Sequence, residues 1–242
     1  METSNPLLAR DSAFSRTSGG VEAMTLEGVI NKTGILLLLC IGAGAFSWSQ
    51  PDLSMPLLIV GALGGFIACL VGIFKPTASP VAAPLYAVLE GLCLGVISRL
   101  TEVQFPQFPG IVVNAIMLTL GVLALMLVLY TKRIIRVTDG LVRGVFVATG
   151  AICLVYVVDM FLGLFKIQMP YLHQSGPVGI VISLVIVGIA AFNLLIDFRV
   201  IEERITNRSP RYMEWYCGLA LMVTLVWLYL EILRLLSKMR SK

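Results

Sequence analysis

The chain alternates long apolar runs with short polar breaks. Seven runs are long enough to cross a bilayer, which takes about 20 helical residues for about 30 Å of hydrocarbon. They extend from Ile30 to Trp48, Met55 to Phe74, Val81 to Ser98, Ile111 to Tyr130, Val142 to Phe165, Val178 to Phe198 and Trp215 to Leu236. The breaks carry residues that end helices: Gln50-Pro51-Asp52, Lys75-Pro76, Pro106 with Pro109-Gly110, Lys132-Arg133, Pro170, Gly176-Pro177 and Ser209-Pro210. Lipid offers no partner to an open backbone group, so each run must be a helix or part of a closed barrel. Continuous apolarity without period-two alternation excludes the barrel. The pattern predicts an all-α bundle of seven transmembrane helices joined mostly by short links. The expected layout is a flexible polar tail over 1–28 with no signal peptide, a membrane domain over 29–237 and a short basic tail over 238–242.

Composition sharpens this picture. Of 242 residues, 58% are hydrophobic and 13% charged, about half the charge of a soluble domain. That excludes an ordinary soluble enzyme, a disordered chain and a nucleic-acid binder. The net charge of +4 comes from Lys and Arg clustered between apolar runs, which is a topology signal and not a nucleic-acid footprint. Counted on alternate sides of seven crossings, 12 fall on the amino-terminal side and 6 on the other. The positive-inside rule then places the amino terminus in the cytoplasm and the carboxyl terminus outside. Arg234, Lys238, Arg240 and Lys242 run against the rule, and a re-entrant last span would return them to the cytoplasm.

Several features read as packing. Gly91-x-x-x-Gly95, Gly42 to Ala45 and Gly61 to Gly65 are expected helix contact seams. Cys40, Cys69, Cys93, Cys153 and Cys217 have neither CxxC pairing nor regular spacing, so zinc or a disulfide framework is not expected. Trp48, Trp215, Trp227, Tyr130, Tyr171 and Tyr212 are expected mostly near span ends, as an aromatic belt.

Candidate chemistry rests on acids inside the spans, each costly enough there to need a partner or a watery cavity. Glu90 falls near the middle of the third span, Asp159 in the outer half of the fifth, Asp197 near the inner end of the sixth and Glu231 in the outer half of the seventh. If those four helices pack together, the carboxylates are staggered from face to face, the layout of a cation or proton path. Local readings compete. Arg234 is spaced to pair with Glu231, Lys166 to reach Asp159, and Asp197 could reach the inner surface beside Arg199. Two carboxylates within hydrogen-bonding reach would share a proton and titrate as a unit. An enzyme is not expected: the single histidine, His173, sits in a loop, and there is no HExxH, G-x-S-x-G or phosphate-binding glycine motif. Asp159 and Asp197 fall near opposite faces, which disfavours a two-aspartate membrane protease.

The carboxyl-terminal third reads Ile196-Asp197-Phe198-Arg199-Val200-Ile201-Glu202-Glu203, then Arg211-Tyr212-Met213-Glu214-Trp215-Tyr216 and Trp227 to Leu236, with Leu85 to Gly91 in the third span. Together these resemble the transmembrane Bax inhibitor motif family, most closely its bacterial YccA-like branch, over nearly the whole chain. The resemblance implies a seven-helix fold with the last helix central and a pH-sensitive calcium leak. It further implies an aspartate at the inner end of helix six paired with one in helix seven. Asp197 matches the first position; Thr224 stands at the second. The arginine that some members carry on the second helix has no counterpart between Met55 and Phe74. Glu231, about 10 Å beyond Thr224 along the helix, is too far to substitute. Substitute partners expected for Asp197 are Glu214 or Glu203, or Arg199, Arg204 or Arg211 as a salt-bridge lock.

The leading expectation is therefore an inner-membrane, pH-responsive cation leak, with calcium as the transported ion and no resident cofactor or assigned metal site. Asp197 would be the principal inner-gate residue, and Glu90, Asp159 and Glu231 would line or stabilise the path. The alternative is a non-conducting regulator that binds other membrane proteins, such as a quality-control protease, through the Arg199–Arg211 loop and the tail. A proton-coupled transporter is the third and weakest reading.

Overall fold

The computed structural model describes residues 22–165 and 176–240. They form seven α-helices, α1 Leu26–Trp48, α2 Ser54–Phe74, α3 Ser79–Gln104, α4 Ile111–Thr131, α5 Asp139–Leu164, α6 Pro177–Thr206 and α7 Met213–Arg240, with short 3-10 turns at Pro51–Leu53 and Pro76–Ala78 before α2 and α3. Each is long and apolar enough to cross a membrane. The helices begin where the sequence supplies caps. Thr25 Oγ1 accepts from Gly28 N at 2.9 Å, Thr138 Oγ1 from Leu141 N at 3.3 Å, and Pro177 opens α6. The Glu102 carboxylate caps α4 from the end of α3, accepting from Gly110 N and Val112 N. Gly110, at φ 88°, turns the chain through the left-handed region that glycine adopts without strain.

Several helices outrun their apolar windows. α1 starts at Leu26, inside the stretch expected to be a tail, α6 continues past Phe198 to Thr206, and α7 reaches Arg240. Apolarity sets which residues can sit in lipid, whereas a helix continues wherever caps and polar side-chain pairs support it; on α6 the Arg199–Glu203 pair does so.

Residues 22–25 lie along the α6–α7 link, with Met24 N donating to Ser209 O at 2.8 Å and Arg211 N to Glu22 O at 2.9 Å. The start of α1 and the start of α7 therefore share one end of the bundle, called the near end below. α7 runs unbroken for 28 residues, about 42 Å, and finishes beside the start of α6 at the far end. A last span that turns back is therefore not what the chain adopts.

α7 is the central helix. It packs against α1, α3, α4 and α6 and, at fewer points, α2. Of its most apolar stretch 61% is buried, against 6% for α5, which leans on α6 at the periphery. One face of α7, with Leu221, Leu225, Leu228 and Ile232, meets Ala115 of α4 and Ala190 and Leu194 of α6. The other, with Leu219, Met222 and Val226, meets Leu36 of α1 and Ala83, Tyr86 and Ala87 of α3.

The glycine seams lie where α3 is held between α1 and α2. Gly91 and Gly95 face the backbones of Cys40 and Gly44 on α1; Gly61 and Gly64 of α2 face Leu89 and Cys93. A Cβ at Gly95 would run into the Gly44 carbonyl and the Ser47 hydroxyl, whereas one at Gly34 would meet open space. Gly95→Ala is therefore expected to lower stability by about 1–3 kcal/mol, and Gly34→Ala to cost nothing. Thermal unfolding in detergent checks both.

Candidate functional site

Asp197 and Thr224 meet inside the bundle. Asp197 precedes the end of α6 by nine residues, about 14 Å, and Thr224 follows the start of α7 by eleven, about 16 Å. The two helices run antiparallel from the same near end, so these positions fall at one depth. Thr224 Oγ1 donates to Asp197 Oδ2 at 2.7 Å. That depth and that bond rule out an aspartate reaching to the surface. Among the described residues no basic side chain pairs with Asp197; its partner is a neutral hydroxyl.

The residues expected to substitute as partners are engaged elsewhere. Glu214, 2% exposed at the start of α7, pairs with Lys32 of α1 and accepts from Thr25 N at 2.9 Å. Gly28 leaves room for that carboxylate: a Cβ there would collide with it. Lys32 also lies 5.7 Å from the Trp215 ring centroid. Glu203 is bound by Arg199 at 2.8 Å. Arg199 further holds Asp139 at 2.8 Å and the Val137 carbonyl at 2.9 Å, tying the start of α5 to α6. Arg211 pairs with Glu22, and Arg204 is exposed. Sequence spacing favoured these groups because they sit near Asp197 along the chain. Arg199, Glu203 and Arg204 follow Asp197 by about 3, 9 and 10 Å along α6, and the first two are turned to Asp139, Val137 and each other, while Glu214 and Arg211 sit at the near end, about 14 Å from its depth.

Thr224 Oγ1 also lies 3.3 Å from the Ala220 carbonyl. A hydroxyl has one proton to give and two lone pairs to offer. With Asp197 ionised, Thr224 donates to it; with Asp197 protonated, the acid donates to Thr224, whose own proton turns to Ala220. The α6–α7 contact thus survives in both protonation states. Two carboxylates in the same place would separate when both ionised.

The other acids have separate surroundings. Glu231, 1% exposed, accepts from Tyr156 Oη of α5 at 2.6 Å, from Trp227 Nε1 at 3.3 Å and from Arg234 Nη1 at 3.0 Å. Arg234 stacks 4.9 Å from the Tyr156 ring centroid. Trp227 therefore sits mid-helix as a hydrogen-bond donor and is not part of an end belt. Glu90 is half-buried, about 16 Å from the start of α3, and its carboxylate faces Gly65 of α2. Among the described residues it makes no hydrogen bond or ion pair. Asp159, half-buried on α5, lies about 16 Å deeper from the near end than Asp197. Its expected partner Lys166, like His173 and Tyr171, lies outside the described residues.

The four acids are thus not drawn into one cluster. Glu90 is set against α2, Asp197 against α7, and Glu231 between α7 and α5. Two cavities, of about 200 and 290 Å³, open at the α3–α4 link beside Arg240 and between α2 and α3, and no acid lines either. Among the described residues no three His, Cys, Asp or Glu side chains are arranged to hold a metal ion.

Sequence reasoning missed further polar ties: Ser98 with Tyr229 at 2.6 Å, Asn193 with Thr149 at 2.9 Å, Tyr130 with Glu202, and Lys238 with Ser183 at 2.8 Å. Their one sequence signal is a hydrogen-bonding side chain within or beside an apolar run. Lys238 and Arg240 had been counted as free tail charges. Lys238 is 6% exposed and also donates to the Gly179 carbonyl at 3.2 Å, and the Arg240 guanidinium lies 4.4 Å from the Phe108 ring centroid.

Fold and site define a multi-pass α-helical membrane protein whose central helix carries buried polar ties. The profile of the family described as Bax inhibitor 1 like matches residues 5–241, and the chain belongs to that family. No curated protein and no solved structure matches it.

Removing Arg234 takes away the only basic partner that the buried Glu231 carboxylate has among the described residues. Arg234→Ala is expected to cost about 2–3 kcal/mol, below the usual range for a buried pair because the arginine is 41% exposed. Adding Glu231→Gln should restore most of the loss. A double-mutant cycle of unfolding in detergent reads the coupling.

Proposed function

We propose that the protein is a pH-responsive cation leak of an inner membrane, with calcium the expected ion, the amino terminus cytoplasmic and the Asp197–Thr224 pair at the inner constriction. The supporting observation is that Asp197, two and a half turns inside the bundle, is hydrogen-bonded to a neutral hydroxyl at 2.7 Å. An ionised carboxylate there draws water and a counter-cation inward, because among the described residues no basic side chain balances it. A single carboxylate supplies few of the oxygens that calcium prefers, so it can pass the ion without holding it tightly. Glu90, at similar depth on α3, is the second carboxylate of the path. Glu231 ties α7 to α5 through Tyr156, and Asp159 belongs to the outer half.

The Asp–Thr pair dictates the form of the pH response. One proton titrates, and the helix contact persists on both sides of the transition. Flux therefore rises with pH through a single-site curve as Asp197 ionises, without the steep step of a carboxylate pair. The regulator reading draws support from α5, whose large outward apolar face leaves room for another membrane protein.

Purified protein in liposomes, with calcium and proton indicators, tests the proposal. Wild type should pass calcium with a single-proton pH profile. Asp197→Asn keeps the bond to Thr224 but cannot ionise, and should lower flux about tenfold and flatten the profile. Thr224→Asp should steepen it. If Asp197→Asn changes nothing, the gate assignment falls; tight wild-type vesicles favour the regulator. For topology, Ala23→Cys and Arg240→Cys in a cysteine-free background should label from opposite sides, with Ala23→Cys on the cytoplasmic one.

A further inference from the structure

Between α2 and α3 runs a groove of about 290 Å³ walled by apolar residues, among them Gly64, Ala68, Val71, Ala82 and Leu89. Gly64 to Val71 covers about 10 Å along α2, two thirds of one leaflet's hydrocarbon. Its lip is Val81 and Leu85, 73% and 50% exposed, so it is open to lipid. Its mouth is the turn between the helices. Lys75 N donates to Val71 O at 2.9 Å and Ala78 N to Lys75 O at 2.8 Å, which fixes Lys75 across the ends of both walls.

That mouth is electropositive on two counts. Lys75 is exposed and, among the described residues, its side chain makes no ion pair or hydrogen bond. The 26-residue helix α3 continues there from a 3-10 turn at Pro76–Ala78, whose carbonyl at Pro76 takes the Ser79 N–H; with no side-chain cap and no acid in the first turn, the positive end of its dipole faces the mouth. An oily groove ending in a lysine and a helix start matches one kind of occupant. We infer that this groove binds a single anionic glycerophospholipid, the acyl chain lying between α2 and α3 and the phosphate at Lys75 and the start of α3.

Small wall residues let a chain lie close to both backbones, gaining dispersion contacts that neighbouring lipids cannot supply. The lysine selects the headgroup, by about fivefold for one basic residue at a membrane surface. The inner end of the groove adjoins the position where Gly65 faces Glu90, so the bound chain fixes how closely α2 sits on that carboxylate. The inference stands whether or not the protein conducts.

Protein taken from vesicles of equimolar phosphatidylglycerol and phosphatidylcholine, extracted gently and weighed by native mass spectrometry, reads the retained lipid. Wild type should keep one phosphatidylglycerol, preferred about fivefold. Lys75→Glu, at an exposed site, should abolish the preference. Ala78→Phe, filling the mouth, should lose the lipid, and Val81→Trp should repeat that block from an exposed position without touching the packed interface. Equal retention of both lipids by wild type, a preference that survives Lys75→Glu, or undiminished retention in Val81→Trp would each overturn the assignment.

Discussion

In hydrocarbon a polar side chain keeps its full cost until another protein group answers it, and the central helix is built around that constraint. Glu214 at the start of α7 binds α1 through Lys32 and Thr25; Thr224 binds α6 through Asp197; Tyr229 binds α3 through Ser98; Glu231 binds α5 through Tyr156; Lys238 binds α6 again through Ser183. Each tie fixes rotation and depth in a way that interchangeable apolar contacts cannot, since lipid packs against leucine about as well as another helix does. The apolar faces of α7 fill the space; the polar ties decide which neighbour stands where.

The same constraint explains why the tail looked misplaced by charge counting. The positive-inside rule concerns charges left to face one aqueous side or the other. Arg234 is neutralised by Glu231, Lys238 is sunk against α6, and Arg240 lies on an aromatic ring. These three cations are taken up within the fold and so drop out of that count, which leaves Lys242, outside the described residues, as the one tail charge set against an unbroken seventh crossing.

Much of the fold was legible in the sequence because it depends on quantities a single chain displays. Run length and unbroken apolarity marked the seven helices, and glycine spacing marked contact seams without saying which helices they join; the structure pairs α3 with α1 and α2 there. The site was less legible. Asp197 stood out as an acid in an apolar run, and the family resemblance pointed to Thr224 opposite it, but which groups satisfy an acid is a tertiary fact. Arg199 and Glu203 are close to Asp197 in sequence yet are turned to Asp139 and to each other, while Tyr156 and Glu231 are distant in sequence and in contact. Trp227, read as an interfacial aromatic, proved to be a donor within the helix because Glu231 lies one turn further on.

The peripheral place of α5 carries its own consequence. With so little of its surface buried, exchanging protein neighbours for lipid changes its free energy little, and a few polar attachments hold it: Tyr156 to Glu231, Thr149 to Asn193, and Asp139 with Val137 to Arg199. Such a helix behaves less like a wall of the bundle than like a stave held, among the described residues, at its start, near its middle and again about two turns before its end. Loosening any single fastening leaves it able to pivot about the others while the remaining six helices keep their order.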